Sequence, residues 1–469
     1  MEIATATVAN LDGLVAVVKA DCPTCRLVAP VLTALGRRVA VYSEDDDAGL
    51  ELSWHLDLDT VPTLLRFESG TEKGRIVGWD REAWRTFTCD PALGDGLPEY
   101  RPGCGSKSVE PGVASLLAER FSGAVLRSRR VELGAAEDES EALFDRGWTD
   151  GLPVVAPTPR RVLAMLAGTS LPPDQVVAVV PPDLVPVTVE KVAVNAVLAG
   201  CRPEYLPFVL AAVSAACTDE FNVHGLLATT YFSGPMVVAN GPLTRAIGMN
   251  SGGNALGQGN RANATIGRAL QLVVRNVGGG RPGGVDRATL GNPGKYTFCF
   301  AEDEEGSPWE SLAVERGFPA TASTVTLFAG AGVTPVVDQL SRSPESLARS
   351  FAACLRMVNH PKLVMGFDAV LVVSPEHAGI FRMAGWDKAR LRAFLMELLQ
   401  LDGASLVRGA DGIDEGVPAR MAGAVLPKFR PDGLLFVHAG GTAGRFSAII
   451  GGWVSGPTGS SPVTMEVKP

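Results

Sequence analysis

The sequence predicts an α/β protein in two parts: a small α/β domain, then a larger α/β domain with a largely parallel sheet. Three observations predict it. The chain has 469 residues, about three times a common domain length. Short Val-rich apolar runs alternate with stretches of helical period. Residues 89–107, rich in Gly and Pro, interrupt that alternation after the first part. The boundaries that follow are 1–88, a connecting segment 89–143 with short helices, and 144–469, the last divisible into 144–320 and 321–469.

The first part opens with Leu14 to Ala20, a buried-strand pattern that runs directly into Asp21-Cys22-Pro23-Thr24-Cys25. Leu27, Val28, Val31, Leu32 and Leu35 then recur at helical spacing. The C-x-x-C therefore lies where a strand ends and a helix begins. Residues 39–44 read as a second strand and 48–56 as a helix. Thr60 to Phe67 leads into a strand with a hairpin partner over 74–79.

That placement has a chemical consequence. The first turn of a helix carries unpaired N–H groups and partial positive charge. Both favour a thiolate at Cys22, the species that attacks a disulfide. Cys25, about one turn on, is placed to resolve the mixed disulfide. Asp21 beside Cys22 is expected to oppose the thiolate. The chain has eight cysteines, too sparse for a disulfide-stapled scaffold, and only one C-x-x-C, so a structural zinc site is not indicated.

C-P-T-C, a helix, then Val61-Pro62-Thr63 followed by an apolar strand resembles the thioredoxin family over residues 1–88. The resemblance implies a thioredoxin-like fold, a redox-active disulfide between Cys22 and Cys25, and a cis proline at Pro62 against them. The sequence departs from the family in having Asp21 before the first cysteine and Ala16 six positions before it. A dedicated intramolecular partner fits these departures better than a promiscuous one.

In the connector, Cys104 sits in Pro-Gly-Cys-Gly-Ser-Lys. Its flanking glycines permit close backbone approach, and Lys107 stands ready to stabilise a thiolate. Cys104 is read as a shuttle thiol, Cys89 as structural. Residues 135–143 read as an acidic helix.

In the larger part, Thr158-Pro159 starts a helix, 176–182 is strand-like, and 187–217 gives two Ala-rich helices split at Arg202-Pro203. Residues 248–280 are the main binding candidate. Glycine-rich backbone turns make anion nests, and Asn250, Asn254, Asn260 and Arg261 add donors. Asn263 is read as the N-cap of a helix from Ala264 to Asn276, its positive end facing the loop. No dinucleotide or Walker fingerprint is present, so neither NAD nor ATP is inferred. In Gly291 to Trp309, Lys295 and Cys299 are read as sharing one strand face, with Cys299 the reactive thiol. Glu302 to Glu305 is an acidic run, and Glu220 with His224 is a weak metal pair, so a divalent metal is possible but no site is defined. Farther on, strands and helices alternate, which predicts the parallel sheet. Ser374 and the loop Gly440 to Arg445 then lie at carboxyl ends of strands, where ligands bind, and Arg445 suits an anion. GWTDGLPV, NAVLAGCRPEYLP, GKYTFCFAEDEE and SPEHAGIFRMAGW resemble an uncharacterised bacterial family, which implies no mechanism.

The functional expectation is a thiol-dependent oxidoreductase or sulfur-transfer enzyme. Its C-terminal region binds a small anionic substrate and is served by the tethered cysteine pair at millimolar effective concentration. The alternatives are a metal-dependent lyase or hydrolase with the first domain as docking scaffold, and a redox-sensing binding protein. The net charge of −9 argues against nucleic acid or an anionic membrane as partner. Residues 1–13 show no secretory pattern, and no apolar run reaches 18 residues, so the expected compartment is the cytoplasm. A homo-oligomer is possible.

Overall fold

The computed structural model describes residues 8–121, 126–134 and 136–468. Part of the secretory-signal reading, residues 1–7, and Ala135 of the acidic helix lie outside them. The chain folds into two compact units. One comprises Met1–Arg127 with Thr158–Leu163, the other Ser128–Pro157 with Ala164–Pro469.

The first unit contains β1 (Gly13–Val18), α1 (Pro23–Leu35), β2 (Val39–Ser43), α2 (Asp47–His55), β3 (Thr60–Val61), β4 (Thr63–Glu68), β5 (Thr71–Val77), β6 (Trp79–Asp80) and α3 (Arg81–Thr88). β7 (Tyr100–Arg101), β8 (Cys104–Gly105) and α4 (Pro111–Phe121) follow. Four strands form a mixed sheet in the order β2-β1-β4-β5, with β1 parallel to β2 and antiparallel to β4. The two-residue period of β1 sets the layers. Val15 and Val17 pack with Leu52 of α2 and Leu56 just beyond it. Ala16 packs on the opposite face with Val28, Val31 and Leu35 of α1 and Trp84 of α3. Burial on both faces explains why β1 is a continuous apolar run. The segment read as a connector is partly sheet: β8 pairs antiparallel with β3, Val61 opposite Cys104, and β7 pairs with β6.

The second unit begins with α5 (Glu139–Asp145), α6 (Pro159–Leu166, its first residues counted with the first unit), β9 (Val176–Val180), β10 (Val185–Thr188), α7 (Val189–Ala199), α8 (Leu206–Ala216) and α9 (Val223–Ala228). Next come β11 (Gly234–Asn240), α10 (Pro242–Ala246), α11 (Arg261–Asn276), β12 (Cys299–Ala301), α12 (Leu312–Glu315) and β13 (Thr324–Val337). The rest is α13 (Pro344–Arg356), β14 (Phe367–Val373), α14 (Pro375–Met383), α15 (Lys388–Leu398), β15 (Gln400–Asp402), α16 (Gly403–Leu406), β16 (Val425–Pro427), β17 (Leu434–His438), β18 (Phe446–Val454) and β19 (Val463–Glu466).

Its main sheet runs β12-β11-β13-β18-β14-β17, with β19 also on β13. Only β11–β12 and β14–β17 are parallel among these pairs; β13 and β18 pair antiparallel with all their neighbours in the sheet. The largely parallel sheet expected from strand–helix alternation is therefore a mixed one. Alternation fixes which strands have helical connections, but the long β13 and β18 insert between them, and no local pattern encodes that order. Strands from both sides of residue 320 share this sheet, so no division falls there. β14 again shows the period of two. Ala369, Leu371 and Val373 join a cluster with Leu347 and Phe351 of α13 and Leu391 of α15. Val370 and Val372 join Met236, Phe300 and Val437.

Candidate functional site

Three thiols meet in the first unit. Cys22 is the N-cap of α1; its sulfur accepts the Cys25 N–H at 3.2 Å. As a thiol it donates to the Val61 carbonyl at 3.5 Å. The Lys19 N–H donates to the Cys25 sulfur at 3.4 Å. The Val61–Pro62 peptide is cis, and Cys104 enters the same cluster as Cys22, Cys25 and Val61 through the β3–β8 pairing. Gly103 makes that pairing possible, because a Cβ there would fall 2.4 Å from Thr60 Cγ2 and 2.8 Å from the Val61 oxygen.

All three cysteines are free thiols, but they differ in environment. Burial would raise the Cys22 pKa. Hydrogen bonds from the Cys25 and Cys104 side chains, and from the N–H groups of Cys25 and Thr24, outweigh it, so the group stands below its ordinary value. Burial first, then the neighbouring Cys22, push Cys25 well up. Cys104 is raised by its hydrogen bond to Cys22, then by burial. Access runs the other way: Cys22 is 0% exposed, while Cys104 is half-buried.

Two charges placed by the sequence reading act differently. Asp21 lies 3.6 Å from Lys19 Nζ, and the largest influences on Cys22 are burial and the Cys25 and Cys104 side chains. Lys107 binds Asp45 rather than Cys104; the cation that favours a Cys104 thiolate is Lys19, itself buried. The residue the sequence reading missed is Glu44, 2% exposed. It accepts from Ser106 Oγ and from the Lys107 N–H at 2.8 Å, and Ser106 N–H reaches the Asp59 carbonyl at 2.9 Å. These bonds clip the chain two residues beyond Cys104. In sequence Glu44 ends the strand read over 39–44 and heads an acidic run, Glu-Asp-Asp-Asp, with no local signal of burial.

In the second unit the predicted donors are spent on the fold. Asn260, not Asn263, caps α11, and its amide donates to the Gly248 carbonyl at 2.8 Å. Asn263 is buried, accepting from Asn250 N–H at 3.0 Å and donating to the Asn250 and Ala255 carbonyls. Asn250 bonds Gly253 and Gly252, Asn254 bonds Gln258, and Arg261 Nε bonds the Gly200 carbonyl. The loop's asparagines tie its own backbone, as expected where a Gly-rich segment needs its polar groups satisfied. Arg445 is held by Glu376 at 3.2 Å.

Lys295 and Cys299 share no strand face. Lys295 ends a 3₁₀ turn, and β12 begins only at Cys299. Lys295 pairs with Asp286 at 2.6 Å rather than with Cys299, and burial drives the Cys299 thiol up, which disfavours a thiolate there. The acidic run also disperses. Glu302 is buried and accepts from Asn240 Nδ2 and Leu312 N–H, each at 2.7 Å, with Lys388 Nζ 3.8 Å away. Glu304 takes the Gly241 N–H, and Glu305 faces Arg245. Glu220 and His224 are both exposed. No group of three or more His, Cys, Asp or Glu that could hold a metal exists among the described residues. Ser374 retains a buried, unpartnered hydroxyl beyond β14. No helix among the described residues is long and apolar enough to cross a membrane. A comparison with models of known protein families finds no match.

Proposed function

We propose that the first unit is a thioredoxin-like thiol–disulfide exchange module in which Cys104 relays electrons between an outside disulfide and the Cys22/Cys25 pair. The observation that carries the reading is the placement of a half-buried Cys104 against a wholly buried, low-pKa Cys22. The mixed sheet, the C-P-T-C at the start of α1 and the cis peptide before Pro62 support the thioredoxin-like assignment.

The Cys104 thiolate attacks a disulfide R–S–S–R′, forms Cys104–S–S–R and releases R′–S⁻. The Cys22 thiolate attacks the Cys104 sulfur and releases R–S⁻. Deprotonated Cys25 then attacks the Cys22 sulfur, leaving a Cys22–Cys25 disulfide and a free Cys104 thiolate. Two electrons pass from the protein to the substrate, and the reverse sequence oxidises a dithiol.

Peptide mapping after mild oxidation tests it. Wild type gives a reversible Cys22–Cys25 disulfide, and Cys25→Ser arrests the relay as Cys22–Cys104. A Cys25→Ser protein that keeps Cys22 and Cys104 as separate thiols under oxidant removes Cys104 from the mechanism.

A further inference from the structure

We infer that the second unit holds a binding site for a small oxyanion carried on an apolar body, with Arg275 and Ser233 receiving the charged end. The site is a cavity of about 520 Å³ bounded by α9, the start of β11, the last turns of α11 and residues 280–296. That volume lies in the range of small-molecule pockets.

Its polar residues come from different elements. Gln271 and Arg275 stand one turn apart on α11, so they share a face. The next residue back on that face, Arg268, already holds both oxygens of Asp150 at 2.7 Å each. Lys295 is held by Asp286. Arg275 has neither kind of partner: it makes no ion pair among the described residues, and its Nε is buried without a hydrogen bond. Ser233, 1% exposed and just before β11, likewise has a buried hydroxyl without a partner. Both residues line the cavity, and a buried donor left without a partner is costly in an apolar setting. A guanidinium fork and a hydroxyl are together suited to a carboxylate or phosphate.

The charge balance agrees. Burial and the like-charged Arg281 depress the Arg275 guanidinium, with Asp150 acting in the opposite sense. An added anion supplies what Asp150, committed to Arg268, does not. Leu226, Leu227, Val274 and Leu290 give the cavity an apolar wall beside the paired Asp150, Asp286 and Lys295, which suits a hydrocarbon body rather than a free inorganic ion. The close approach of the glycine segment to its surroundings is enforced at Gly279, where φ is +76° and a Cβ would lie 2.2 Å from Asp183 Oδ2. This site involves no thiol, and its test is independent of the relay.

Isothermal titration of the full chain with hexanoate, phenyl phosphate, acetate and hexanol is the experiment. We expect hexanoate or phenyl phosphate to bind at least about tenfold more tightly than acetate or hexanol, the better of the two identifying the oxyanion. Arg275→Gln loses tenfold or more, Ser233→Ala several-fold, and Arg275→Lys an intermediate amount, with thermal melts reporting that each variant is folded. If Arg275→Gln does not fold, Ala288→Phe, which fills the cavity, abolishes binding instead. The inference is overturned if neither oxyanion saturates the protein by about 10 mM, or if folded Arg275→Gln or Ala288→Phe binds as wild type does.

Discussion

Glu44→Ala separates a structural clip from a bystander at the thiol centre. The buried Glu44 carboxylate takes one hydrogen bond from Ser106 Oγ and one from the Lys107 N–H. Charged hydrogen bonds contribute about 1.5–3 kcal/mol each, and burying the carboxylate costs several kcal/mol in return. The net loss is about 2 kcal/mol, concentrated in residues 104–108. Those residues seal Cys22, so the local opening that exposes it becomes about 30-fold more frequent, at about 1.4 kcal/mol per factor of ten. The assay is iodoacetamide alkylation at pH 7.5, followed by peptide mass spectrometry, with the exposed Cys89 as internal reference. We expect Cys104 to be modified before Cys22 in wild type, and the Cys22 rate to rise by about that factor in the variant while Cys89 is unchanged. A folded Glu44→Ala protein in which Cys22 alkylation moves less than about threefold refutes the clip.

Two further outcomes follow from buried groups in the second unit. Asn263→Ala removes the acceptor for Asn250 N–H and the donor for two carbonyls; at about 2–3 kcal/mol for the groups left unpaired, amides of residues 248–263 should exchange with deuterium at least about tenfold faster, whereas an unchanged exchange pattern would mean that the loop holds itself without it. Lys428 is 2% exposed, donates to the carbonyls of Val358, His360 and Leu363, and is pushed down by burial from 10.5 to about 8. The unfolded chain therefore keeps that proton to higher pH than the folded one, so wild-type stability rises between pH 8 and 10.5 relative to Lys428→Met, by up to about 3 kcal/mol. Urea midpoints of the two proteins across that range read it, and parallel curves would place the folded-state pKa near its ordinary value.

Much of the secondary structure was legible in the sequence. Residues 176–180 form a strand within the predicted 176–182, Thr158-Pro159 opens α6, and Arg202-Pro203 separates α7 from α8. In each case the signal is local: side-chain period, a cap, or a proline within a few positions. The candidate sites were legible unevenly. The position of Cys22 and Cys25 where a strand gives way to a helix was legible from the local pattern. The asparagines of residues 250–263 have the same composition whether they face a ligand or their own backbone, and only the folded loop shows that they face the backbone.

By itself, then, the sequence determined that a thiolate-favouring cysteine stands at the head of a helix after a buried strand, because helix starts and strand periods are encoded within one or two turns of chain. The tertiary structure alone decided what surrounds that cysteine. Cys104 reaches it by pairing with Val61, Glu44 clips Ser106 from 62 positions away, β13 and β18 turn an expected parallel sheet into a mixed one, and Arg275 and Ser233 come to line one cavity. Contacts between residues so far apart arise from the burial of whole faces during folding, a sum over many weak interactions that no short stretch of sequence records.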